Sequence, residues 1–127
     1  MGIASRDWHR CAVAYRALVI AQTLGLAVSS LMKVVAREPR LSPDAPPAAI
    51  ALAAAAAVGI AAGVLVYFVR RTKSDDRDAV LATWACVQVA GGLALTGYAV
   101  TGTAICCLVD VLALVVMHVF SPNRFPP

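Results

Sequence analysis

Charge is scarce in this chain. Only 14% of its 127 residues are Asp, Glu, Lys or Arg, where a soluble domain carries about a quarter. The charges fall in short clusters, and the runs between them are apolar on every side rather than amphipathic; that pattern excludes an ordinary water-soluble domain. CxxC spacing is missing. The four cysteines, Cys11, Cys86, Cys106 and Cys107, sit in or beside apolar runs and read as small buried hydrophobes. A bridge between the adjacent Cys106 and Cys107 would be strained. Catalytic signatures are missing too. There is no P-loop, HExxH or nucleophile elbow, so no catalytic residue and no metal-ligand set is nominated. His9 and His118 are expected near one membrane face, as interfacial polar residues rather than paired haem ligands. No cofactor is expected, with haem or quinone contact as the lesser reading. The N-terminus lacks a cleavage site after a short apolar core. Met1-Gly2 lacks the Ser or Thr that myristoylation needs at the sixth position, which is Arg6.

What the chain has instead is hydrophobic length. Hydrophobic residues make up 61% of it, and the mean hydropathy is +0.78. The net charge of +4 needs no nucleic acid to explain it, because basic residues flanking apolar spans set topology and meet anionic lipid heads. The expected fold class is all-α: a polytopic membrane protein of four transmembrane helices in an up-down bundle with short loops, forming a single membrane domain over 1–127.

The spans are expected at about 11–35, 48–69, 79–97 and 103–120. Loop 36–47 holds four prolines in twelve residues, AREPRLSPDAPP, which rules out a continuous helix. The 70–78 connector, RRTKSDDRD, is too polar to enter lipid. From Ala79 to Phe120 the chain is apolar for 42 residues with one charge. One helix of that length would reach about 63 Å, roughly twice the hydrocarbon thickness, so it must turn. The Gly and Thr cluster around loop 98–102 supplies the turn.

Sidedness follows from Lys and Arg. With four spans, Arg6, Arg10, Arg16, Arg70, Arg71, Lys73, Arg77 and Arg124 share one side, and Lys33, Arg37 and Arg40 the other. The positive-inside rule then puts both termini in the cytoplasm or the equivalent organelle compartment. Arg16, Arg70, Arg71 and Lys73 are the expected interfacial basic residues. Trp8 and Tyr15 suit the interfacial aromatic belt.

Asp110 is the single carboxylate in the last span. Roughly 15 Å of helix separates it from Phe120, which puts it near mid-depth, where an acid costs about 3 kcal/mol or more. Gln22 and Gln88 fall at similar depths, about 16 and 14 Å from their span starts. An intramembrane polar cluster of Asp110, Gln88 and Gln22 is therefore expected, with the carboxylate accepting amide hydrogen bonds. Gly59-xxx-Gly63 in the Ala-rich second span permits close backbone approach, either within the chain or to a second copy. Gly91 and Gly92 are further expected packing positions.

In span number and size the chain superficially resembles the four-span small multidrug transporters, but their essential acid lies in the first span and Asp110 lies in the fourth. A looser resemblance is to tetraspan scaffolds of the Casparian-strip and MARVEL type, through an Arg in the first span (Arg16) and an acid later. The expected partners are the lipid bilayer and other integral membrane subunits or further copies of the chain. The expected function is that of a non-enzymatic accessory or scaffold subunit of a membrane complex, acting through helix–helix packing. The alternative is a homo-oligomeric proton- or cation-coupled transporter or channel using Asp110.

Overall fold

A computed structural model describes residues 5–37, 46–72 and 76–122. Four helices follow one another: α1 (Ser5–Val35), α2 (Pro47–Arg70), α3 (Asp76–Thr101) and α4 (Ala104–Val119), and no strand occurs among the described residues. Three stretches are long and apolar enough to cross a membrane, Arg6–Val35, Pro47–Arg70 and Asp78–Thr101, while Ala104–Val119 is a shorter apolar helix. By length and composition these helices make the chain an integral membrane protein. The all-helical fold class read from the sequence is the one observed.

Local chemistry sets several helix ends. Pro47 opens α2, where a missing N–H costs nothing and a fixed φ suits the first turn. α3 runs on to Thr101, four residues past the expected end at Gly97. Thr96 and Thr101 do not break it, because each hydroxyl donates to the carbonyl four residues back, at Gly92 and Gly97. The chain reverses at Gly102, whose φ of 67° is left-handed and whose N–H donates to the Tyr98 carbonyl at 2.7 Å. Thr103 then precedes α4, its hydroxyl hydrogen-bonded to that of Thr101.

α3 is the centre of the bundle and touches all three other helices. Residues at spacings of three and four fill the seams: Ala49, Ala53, Ala56, Ile60, Gly63 and Tyr67 on α2, and Cys106, Asp110, Ala113 and Met117 on α4. Most are small, which is what lets backbones approach without a hydrophobic drive from water. α2 meets α3 through the glycine pair. A Cβ at Gly59 would lie 3.0 Å from the Ala90 Cβ, and one at Gly63 would lie 3.1 Å from Cys86 and Val87. Thr83 adds a hydrogen bond from its hydroxyl to the Gly63 carbonyl at 3.0 Å. Both glycines are thus occupied by packing inside the chain.

α1 is attached differently. It packs on α3 and, more lightly, on α4, and its buried residues are Trp8, Tyr15, Gln22 and Lys33. Each carries a polar atom as well as apolar bulk. Trp8 stacks on Trp84 with ring centroids 5.6 Å apart, and Tyr15 lies 4.7 Å from the same ring. The Tyr15 hydroxyl donates to the Met117 carbonyl, and the Gln22 amide to Asp110. At the far end Ser30 and Tyr98 share a hydrogen bond of 3.0 Å, and Lys33 Nζ donates to the Ala99 carbonyl at 3.3 Å. A step of seven along α1, from Tyr15 to Gln22, matches a step of seven back along α4, from Met117 to Asp110. The two helices are therefore antiparallel, and the Trp8 end of α1 lies at the Phe120 end of α4, where Trp84 Nε1 donates to the Phe120 carbonyl at 2.8 Å.

Trp8 and Tyr15 thus turn inward onto Trp84 instead of outward into an aromatic belt, because α3 offers a ring at their level. Much of α1's aliphatic surface, including Val13, Ile20, Leu24, Val28 and Leu31, stays exposed.

Candidate functional site

The polar residues inside the bundle form two arrangements. The first is a pair. Asp110 is 0% exposed and Gln22 4%, and Gln22 Nε2 donates to Asp110 Oδ1. Gly91 on α3 seats the amide, since a Cβ there would run into the Gln22 side chain. Asp110 Oδ2 and Gln22 Oε1 have no hydrogen-bond partner. Cys106, one turn before Asp110, is buried, and its thiol donates to the Ala49 carbonyl at 3.4 Å.

Gln88 is not part of this pair. It lies on the α1 side of α3 in a hollow of about 380 Å³, lined among others by Cys11, Tyr15, Leu18 and Trp84, and its Oε1 is buried without a hydrogen-bond partner. A second hollow of about 370 Å³ adjoins it between α2 and α3, lined by Gly59, Ala62, Ala85, Cys86 and Val89. The two share Ala85 and Val89, so together they form an open groove along α3 between α1 and α2. Gly92, on the exposed side of α3, has nothing within 4 Å of where its Cβ would be. It is therefore not one of the bundle's own packing contacts, unlike Gly59, Gly63 and Gly91. Helical rotation separates Gly92 from Gly91: adjacent residues on a helix do not face the same way.

Four further close contacts were not legible as such in the sequence. Gly97 abuts Cys106, and Gly25 abuts Leu95; Thr83 bonds to Gly63, and Tyr15 to Met117. Trp8, Tyr15 and Gln22, seven residues apart, share α1's inward face, a spacing that the sequence reading did not use.

Arg16, Arg70 and Arg71 are exposed. The Arg71 guanidinium lies over the Tyr67 and Phe68 rings, 5.7 and 5.9 Å from their centroids. Lys73 lies outside the described residues, as do most of loop 36–47 and residues 73–75 of the 70–78 connector. His9 and His118 are exposed, and among the described residues no three His, Cys, Asp or Glu side chains gather as a metal site.

No family model, curated protein or solved structure matches the chain.

Proposed function

We propose that this protein is a non-enzymatic membrane subunit that works by packing against another membrane-embedded helix, and that the groove along α3 is where it does so. The observation that carries the reading is Gln88. Its amide oxygen is buried without a donor at the edge of an otherwise apolar groove at lipid depth, and lipid tails cannot supply one. A helix laid between α1 and α2 can, once the Gln88 amide turns outward into the groove to meet it. The small residues that line it, Gly59, Ala62 and Ala85, allow the close approach such a contact needs. The Lys and Arg asymmetry supports an orientation with both termini in the cytoplasm or its organelle equivalent.

The test is native purification in mild detergent, comparing Val89→Trp, at an exposed position that lines both hollows, with Leu108→Trp. Leu108 is an exposed residue of α4 and lines neither hollow of the groove. The expected result is a partner that co-purifies with the wild type and with Leu108→Trp and is lost from Val89→Trp, with helicity unchanged in all three. A monomer without any co-purifying protein, or equal retention by both variants, overturns the reading. A pure homo-oligomer that moves protons or cations across vesicles, in a manner lost with Asp110→Asn, would favour the second reading. That reading, a homo-oligomeric carrier or channel, draws on the same mid-depth carboxyl.

A further inference from the structure

The Gln22–Asp110 pair has one donor bond and two acceptors left over. Gln22 Nε2 donates to Asp110 Oδ1, while Asp110 Oδ2 and Gln22 Oε1, both buried, have no donor. A carboxylate completely removed from water with a single neutral amide bond is among the least favourable states a side chain can take. We propose that Asp110 and Gln22 form a one-proton site, in which the carboxyl group is held as the acid and donates Oδ2–H to Gln22 Oε1 while Oδ1 accepts the amide N–H. The inference stands apart from the docking reading, since it concerns the interior of the bundle and not the groove.

A carboxylic acid and a primary amide are complementary along one edge. Each offers one donor and one acceptor, so a single proton satisfies both orphan oxygens without adding volume. Gly91 holds the amide in place from the α3 side. A metal ion fits less well. A hard cation takes about six oxygen ligands or more, and two unsatisfied oxygens are what this pair offers.

The surroundings supply no counter-charge. On α4 the neighbouring titratable groups are the thiols of Cys107 and Cys106, the latter committed to the Ala49 carbonyl. In the buried core of α2 and α3, Ala56, Ile60, Val87, Ala90 and Ala94 are apolar, and the titratable side chains are Tyr67, packed on Phe120, and Tyr98, hydrogen-bonded to Ser30, neither of which carries a positive charge. On α1, Arg16 is exposed, and Lys33 is eleven residues beyond Gln22, with its Nζ on the Ala99 carbonyl. The proton comes from solvent when the bundle assembles or opens. Once bound, it joins α1 to α4 by two hydrogen bonds instead of one. Because the folded state then holds a proton that the carboxyl gives up when exposed, stability is greatest at low pH and falls as pH rises.

Infrared spectroscopy of the full chain in lipid discs tests this directly. The wild type should show, at neutral pH, the C=O stretch of a protonated carboxyl that disappears in Asp110→Asn. The same band should move in Gln22→Leu, where the acid loses its amide partner. Thermal unfolding provides a second readout. An Asn amide at 110 can donate to Gln22 Oε1 as the acid O–H does, so Asp110→Asn should melt near the neutral-pH wild type. It should also lose the decline toward alkaline pH. Absence of an Asp110-dependent acid band at neutral pH overturns the proposal. A band unmoved in Gln22→Leu does so too, as does wild-type stability that depends on sodium or potassium at fixed pH. If Asp110→Asn does not fold, the Gln22→Leu band shift alone decides.

Discussion

At the scale of single residues, the interior of this protein is held by hydrogen bonds that cross between helices to carbonyls or amides, each a modest contribution. Tyr15 reaches Met117, Thr83 reaches Gly63 and Trp84 reaches Phe120. In membranes such bonds contribute on the order of 1 kcal/mol each. Tyr15→Phe keeps the ring against Trp84 and deletes only the hydroxyl. It should therefore lower stability by about 1 kcal/mol in a detergent-unfolding titration. Trp84→Ala removes the stacking surface for both Trp8 and Tyr15 as well as a hydrogen bond and should cost about 3 kcal/mol or more. Equal effects would mean that the rings do not anchor α1. Asp110→Leu, which leaves the Gln22 amide with neither partner, should be worse than Asp110→Asn in the same titration.

At the scale of helices, two modes of attachment coexist. α2 docks on α3 through missing side chains, and α1 docks through polar-tipped large ones. Replacing Gly63 with Leu drives a side chain into Cys86, Val87 and the Thr83 carbonyl, and overpacking of this kind costs about 1–3 kcal/mol. The same residue at the exposed Val58 should be silent. Circular dichroism against denaturing detergent reads the difference. A fold indifferent to Gly63→Leu would reduce the motif to ordinary Ala and Gly composition. Gly92→Leu, with nothing within 4 Å, should leave stability unchanged, so the two glycines sort cleanly by what faces them.

At the scale of the whole molecule, α1 and α4 run antiparallel and both described ends meet at the Trp84–Phe120 end of the bundle. Tags placed at either terminus should therefore be digested from the same side of a sealed vesicle. In the proposed orientation, which rests on the eight-to-three Lys and Arg bias, that side is the cytoplasmic one or its organelle equivalent. A single tag protected while the other is cut would contradict the bundle; both tags protected in inside-out vesicles would contradict only the orientation. The molecule also leaves a long aliphatic flank on α1 and an open groove on α3. Lipid accounts for the first surface, and the second, lined by Gln88 with its buried, unpartnered oxygen, is where the proposed partner would dock.

Sequence alone determined that this protein is helical, suited to lipid and divided into four apolar segments, because segregation of charge into clusters and the length of apolar runs are one-dimensional properties. Counting at roughly 1.5 Å per residue also put Gln22, Gln88 and Asp110 at similar expected depths, and of the three the structure joins Gln22 and Asp110. What it left open was azimuth. In a helix apolar on all sides, no moment marks the inward face, so nothing in the chain separated Gln22, which meets Asp110, from Gln88, which faces the groove. The same holds for Gly91 and Gly92, neighbours in sequence that the turn of the helix sends to different surroundings. Nor did the Thr residues near 101 announce that they would extend α3, since their hydroxyls bond within the helix as readily as they break it. Those choices were made by packing: by which small residue on one helix left room for a side chain on another.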